Sequence, residues 1–190
     1  PLHAFDYDKI GQQEVIVKKL EEGSSFTTLD AKEIKLQASD LMICDAKGGM
    51  CMAGVYGGLG SGISESSKSV FLESAYFDPK TIRRSSLHHG LRTDAATHFE
   101  KGVDINLVPK ALARAVDLIL EIAGGQLASN IIDNYPNPLE QRLITSTFDQ
   151  IKQLCGKEYS NETIINILKN LGFEILNQSE LDFSVKVPTN

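Results

Sequence analysis

A carboxylate within an apolar run, a histidine near the first residue and a crowd of glycines are where this sequence could do chemistry. Glu73 stands between Leu72 and Ser74 in the β-rich run 70–75. Alternating faces could point it to solvent. Pointed inward it must be hydrogen-bonded, which suits it to reading a ligand hydroxyl or amine. His3 follows Pro1-Leu2, and an imidazole titrating near neutrality suits proton transfer or the placing of a water. A lone histidine is more often a polar surface residue. Gly54, Gly57, Gly58, Gly60 and Gly62 follow a buried-strand pattern. They lack both the Lys-Ser or Lys-Thr of a phosphate loop and the spacing of a dinucleotide turn, because Gly62 leads into Ile63-Ser64-Glu65-Ser66. The small residues Ala53 and Gly54 either let a ligand lie flat on the backbone or simply bend the chain. No Gly-x-Ser-x-Gly elbow or Ser/His/Asp set marks nucleophilic catalysis. His88-His89 has no nearby Asp or Cys at metal-ligand spacing, so no metal is expected.

The elements that must position these residues are β-rich first and helical after. Patterning predicts a short helical or turn segment at 4–10, then strands at 14–20, 26–29, 41–44, 50–56 and 70–75, with turns at 21–25 and 30–32. Asp78 as N-cap, Pro79 at the first helical position and Gly90 as stop predict a helix between them. A short helix at 94–101 ends before Gly102. A longer one at 107–123, closed by Gly124-Gly125, carries Leu112, Ala115, Val116, Ile119 and Leu120 on one face. Two prolines and turn formers mark 133–139 as a linker. Beyond it the sequence predicts a strand at 143–147 and a helix at 148–155. A helix capped by Ser160 follows to Leu171, with Ile164, Ile165, Leu168 and Leu171 facing inward, and then an alternating strand at 181–187. The expected fold class is therefore α+β: a mixed-sheet module with packed helices over 1–132, then a small α+β unit over 140–190.

Composition narrows the function classes. No apolar run approaches the ~20 residues needed to cross a bilayer. Cys44, Cys51 and Cys155 form no CxxC pair, and reduced thiols of a cytosolic protein fit them best. Nineteen basic against 25 acidic residues leave a net charge of −6, which argues against a dedicated nucleic-acid-binding module. The charge is uneven: residues 80–101 carry +3 and the remainder −9. One local basic segment suits a partial phosphate contact, or is an ordinary solvated helix face. The chain opens at Pro1 without an initiator Met or signal pattern, so a fragment of something longer is expected.

Several pieces in order resemble one family. They are Leu2-His3-Ala4-Phe5-Asp6, Thr28-Leu29-Asp30, residues 53–58 (AGVYGG), residues 72–79 (LESAYFDP), Ile82-Arg83-Arg84, Leu91-Arg92-Thr93 and residues 99–104 (FEKGVD), with Leu171-Gly172-Phe173 and Val187-Pro188 later. Together they resemble the β subunits of bacterial phenylalanyl-tRNA synthetases. Residues 1–132 are similar to the second half of the family's B3/B4 module, and 140–190 to a truncated B5 module.

The resemblance implies a site that hydrolyses tyrosine wrongly attached to the phenylalanine tRNA. In it His3 and Glu73 would be catalytic, and Pro1, Ala53, Gly54 and Glu73 would bind substrate, with the Gly54 amide and Glu73 recognising the phenolic hydroxyl. It further implies tRNA-Phe and a synthetase α subunit as partners in an α2β2 whole enzyme, ATP and magnesium bound elsewhere in that enzyme and not here, no membrane, and a cytoplasmic location. His98 and Lys101 stand where the family usually has arginine. The strand upstream of Pro1 and the acidic metal-binding cluster downstream of Pro188 are absent from this sequence. Two other readings remain: a purely structural and tRNA-docking module, with Glu73 outward and His3 incidental, or a free-standing editing or RNA-binding protein. Convergence of His3, Gly54 and Glu73 on one cleft separates editing from docking, and the linker and second unit argue against the free-standing protein.

Overall fold

The computed structural model describes residues 1–189, and the chain divides into two compact units, Pro1–Asn130 and Ile131–Asn190. In the first unit β2 (Ile16–Lys19), β5 (Leu41–Cys44), β6 (Gly49–Met52) and β7 (Tyr56–Gly57) form a four-stranded sheet in that order. β1 (Leu2–Asp6) pairs with β8 (Val70–Ser74), and β3 (Ser25–Thr27) with β4 (Glu33–Lys35). The sheet region is mixed in the sense of several small sheets packed by helices. Each of its ladders is antiparallel. The helices are α1 (Pro79–His89), α2 (Asp94–Glu100) and α3 (Val108–Ala123).

The core of this unit gathers Phe5, Met42, Ile43, Met52, Ile82 and Phe99. Full burial of each such side chain is worth about 1.5–3 kcal/mol. α1 turns Ile82, Ser85 and Ser86 inward, the spacing that one helix face requires. It starts as the sequence predicts: the Asp78 carboxylate accepts from the Thr81 N–H at 2.9 Å, and Gly90 ends the helix at φ 65°.

Three expectations are corrected. The helical or turn segment expected over 4–10 begins later than expected, because Leu2–Asp6 is a strand recruited by β8, and the turn is the 3₁₀ segment Tyr7–Lys9, capped by Asp6. The strand expected over 50–56 breaks at Met52, where a turn closed by the Val55 N–H on the Met52 carbonyl (2.9 Å) holds Gly54 at φ 66°. The apolar face of α3 is only half-covered, as Ile119 and Leu120 are 46% and 37% exposed.

In the second unit β10 (Glu174–Gln178), β11 (Asp182–Lys186) and β9 (Leu143–Thr147) form an antiparallel sheet in that order. Helices α4 (Phe148–Cys155) and α5 (Asn161–Asn170) complete it. Its core is Phe148, Ile164, Ile165, Phe183 and Val185. A capping box between Thr147 and Gln150 starts α4. Leu171, expected to face inward, is exposed, because α5 ends at Asn170.

Candidate functional site

β1 and β8 place His3 directly opposite Glu73, and Phe5 opposite Phe71. Alternate residues of a strand share a face, so these four side chains project together. Directly opposed residues hold their Cβ atoms about 4.5–5.5 Å apart. Phe5 is fully buried, with its ring centroid 4.4 Å from that of His3 and 6.1 Å from that of Phe71. This face therefore turns toward the core, and the His3–Glu73 pair sits half-buried toward its end.

The opposite wall is the β6–β7 hairpin, in which Cys51 pairs with Gly57. The His3 ring lies against Gly57, since a Cβ there would be 3.2 Å from the imidazole Cε1. The buried Cys51 thiol lies 3.4 Å from the carbonyl oxygens of Met52 and Tyr56. Burial pushes that thiol well above its usual range, and the negative charge of Glu73 pushes it further. Cys51 and Glu73 are thus neighbours, and Cys51 stays an uncharged thiol.

Burial also sets the ionisation of the pair. Glu73 is pushed up to about 7 by burial. His3 is lowered by burial. Among the described residues neither side chain makes a hydrogen bond. Near neutral pH the cleft therefore offers an uncharged imidazole beside a carboxyl poised between donor and acceptor.

The remaining residues named by the sequence have different surroundings. Pro1 is exposed, immediately before β1. Ala53 is buried, and its N–H donates to the Leu41 carbonyl at 2.9 Å. The bare Cα of Gly54 faces an aromatic wall, since a Cβ there would lie 2.8 Å from Phe77, 3.0 Å from Phe99 and 3.1 Å from Ile82. The close approach it permits is to those side chains. Its N–H stays outside the turn's own hydrogen bond. Thr93 fixes the same turn by donating to the Val55 carbonyl at 2.7 Å while capping α2. The distinctive runs 72–79 and 99–104 thus supply Phe77 and Phe99, which pack edge to face at 5.0 Å behind Gly54.

Cys51 and Gly57 were hidden in the sequence, where their only signal is the Gly57-Gly58 doublet. A buried polar cluster beneath α1 was hidden as well. Asp40 accepts from the Ser85 hydroxyl at 2.6 Å, from the Gln37 N–H at 2.8 Å and from His89 Nε2 at 2.6 Å. In an acyl-transfer triad the histidine stands between serine and carboxylate. Here the carboxylate stands between the other two, so Ser85 has no base to activate it. Lys80, Arg83 and Arg84 are exposed on α1, while Arg92 pairs with Glu100 at 3.3 Å. Among the described residues no three His, Cys, Asp or Glu side chains gather as a metal ion would require, and no helix is long and apolar enough to cross a membrane.

A family model described as the B3/4 domain matches residues 1–124, and one described as the tRNA synthetase B5 domain matches residues 144–190. The chain belongs to the B3/4 domain family, with B5-domain sequence following. Among curated proteins it is 43% identical over 188 residues to the phenylalanine–tRNA ligase beta subunit of Bacteroides fragilis (strain YCH46), covering 99% of this chain and 23% of the relative. It is 44% identical over 189 residues to that of Porphyromonas gingivalis, covering 99% and 23%. To that of Geobacter metallireducens it is 40% identical over 190 residues, covering 100% and 24%. The chain thus spans just under a quarter of the length of these relatives. A crystal structure of an N-terminal fragment of the phenylalanyl-tRNA synthetase beta subunit from Pyrococcus horikoshii aligns with a TM-score of 0.48 at 17% identity, over 99% of this chain and 54% of that one.

Proposed function

We propose that this chain is a segment of a phenylalanine–tRNA ligase β subunit whose β1–β8 cleft hydrolyses tyrosine wrongly attached to the phenylalanine tRNA. One observation carries the reading: His3 and Glu73 stand opposite one another on a half-buried strand face, and neither is hydrogen-bonded within the described residues. A half-buried carboxyl without a partner is costly unless a ligand supplies one. The ~40% identity to named beta subunits supports the wider assignment.

The chemistry explains why such a site is needed. An apolar pocket that accepts phenylalanine rejects a ligand with one added hydroxyl by only roughly 10²-fold. A second site that binds the hydroxyl completes the discrimination. Phenylalanine in it leaves Glu73 desolvated and unpaired, at about 1–3 kcal/mol. Poised near half-protonation, Glu73 can accept from the phenol or donate to it. Uncharged His3 orients a water whose oxygen adds to the ester carbonyl carbon. The carbon–oxygen bond to the ribose then breaks, the proton passes to the ribose oxygen, and tyrosine leaves a free tRNA end. An activated ester needs mainly this orientation, so no nucleophilic triad is required.

In the whole enzyme this segment works with the α subunit of an α2β2 assembly and with tRNA-Phe in the cytoplasm. ATP and magnesium serve the charging reaction elsewhere in that enzyme. The basic outer face of α1 supports a contact with tRNA phosphates and equally supports a module that only docks tRNA. Deacylation of Tyr-tRNA by the full-length chain separates the two readings. Glu73→Ala is expected to slow it about tenfold or more. An unchanged rate removes Glu73 from the reaction and leaves docking.

A further inference from the structure

We infer that Leu29, with Leu59 beside it, is the apolar platform on which the terminal base of the tRNA lies when the aminoacyl ester is at His3. The inference rests on the hydrolytic reading above and extends it from the amino acid to the nucleotide that carries it.

The run Thr28-Leu29-Asp30 has two residues with structural work and one without. Thr28 is fully buried, and its hydroxyl donates to the Asp30 carboxylate at 2.5 Å and accepts from the Lys32 N–H at 3.2 Å. Asp30 also pairs with Lys32 at 2.7 Å. Leu29, held between them on this tied turn, is 56% exposed. A single exposed leucine needs no explanation, so its placement must decide. The Leu29 N–H donates to the Gly57 carbonyl at 2.9 Å, the Leu59 N–H donates to the Thr27 carbonyl at 3.2 Å, and Thr28 bridges Gly58 between them. Thr28 and Gly58 face the core. By the alternation of strands, Leu29 and Leu59 project on the other face together with the bare Cα of Gly57. That is the face against which the His3 ring lies.

Two ladders meet here in the same order. One runs from Glu73 to His3 across β8 and β1, and on to Gly62, which bridges Phe5. The other runs from Cys51 to Gly57 and on to Leu29. Glu73 neighbours Cys51, His3 lies on Gly57, and a Cβ at Gly62 would be 3.9 Å from Leu29 Cδ1. Leu29 therefore stands beyond His3, on the side away from Glu73. A tyrosyl ester with its phenol at Glu73 and its carbonyl at His3 sends its ribose and base in that direction. The end of a tRNA is single-stranded, and an unstacked base gains by laying its face on apolar side chains. Leu59, 53% exposed, widens the same surface.

The test uses the full-length chain. Its leucine methyl and His3 ring resonances are followed as an adenosine carrying tyrosine through an amide, in place of the ester, is added, and again with L-tyrosinamide, which lacks the nucleoside. The nucleoside compound is expected to move the Leu29 and Leu59 methyls and the His3 ring, and L-tyrosinamide the ring alone. These spectra need no variant, so they decide the matter even where a substitution disturbs folding. In deacylation of Tyr-tRNA, Leu29→Ala is expected to raise KM about fivefold with kcat within about twofold, the mark of binding lost equally in ground and transition states. It is expected to leave hydrolysis of tyrosine methyl ester, which has no base, unchanged. Val17→Ala, which trims a comparably exposed residue on β2, is expected to change neither. Leu29 and Leu59 methyls that ignore the nucleoside compound overturn the inference and leave the patch to a protein neighbour, as does an unchanged KM in Leu29→Ala. Moved methyls on a chain that does not deacylate Tyr-tRNA keep the platform and defeat the hydrolytic reading instead.

Discussion

The first unit holds two histidine–carboxyl pairs, and they are opposites. Asp40 lies buried beneath α1, 2.6 Å from the buried side chain of His89 at the end of that helix, with the carboxylate also bonded by Ser85 and the Gln37 N–H. His3 and Glu73 face each other across β1 and β8, half-buried, without a hydrogen bond among the described residues. Ionisation follows the same division. Burial alone would raise Asp40, but its hydrogen bonds and the nearby imidazole outweigh that and hold it below the usual carboxylate range. Glu73 has no such compensation and is pushed up to about 7. The same two residue types thus make a structural tie in one place and an open receptor in the other. The number of satisfied bonds decides which.

The sharpest way to break this comparison is to remove a partner from the satisfied pair. Asp40→Ala leaves His89 and Ser85 buried without their acceptor and is expected to cost about 3–5 kcal/mol, read as a large fall in the thermal midpoint. A drop under about 1 kcal/mol would show that the tie beneath α1 is dispensable. A smaller effect distinguishes the pairs by pH. Glu73 binds its proton more tightly when folded, so its presence costs stability as pH rises from about 4.5 to about 7. Asp40, held low, contributes stability above its unfolded pKa that is lost as pH falls through its folded one. Urea midpoints at pH 5 and pH 8 should therefore converge in Glu73→Gln relative to the parent, and parallel shifts in both proteins would contradict this. Smallest of all, the Arg92–Glu100 pair at 3.3 Å, whose arginine is open to solvent, should contribute less than about 1 kcal/mol, so Arg92→Ala is expected to move the midpoint little.

Local chemistry was legible in the sequence where it determines structure by itself. Asp78, Pro79 and Gly90 bound α1, Ser160 starts α5, and alternation marks β11. What depends on distant partners was not. β1 was hidden because its partner β8 lies about seventy residues away and because Asp6 gives a strong turn signal. β4 and β10 are short and rich in polar residues, so neither shows a buried face. Glu73 and His3 could be singled out by type, but their opposition is a matter of register. Gly54 drew notice as a glycine without showing that Phe77 and Phe99 close over it, whereas Gly57, which touches His3, looked no different from its neighbours.

Glu73, left without a hydrogen bond among the described residues, is the group proposed to receive a phenolic hydroxyl. Its most direct test follows the Glu73 carboxyl by carbon NMR through a pH titration of the full-length chain, with L-tyrosinamide or L-phenylalaninamide added. A midpoint near 7 that tyrosinamide moves and phenylalaninamide does not is the predicted result. A midpoint in the ordinary carboxylate range, indifferent to both compounds, would contradict the account.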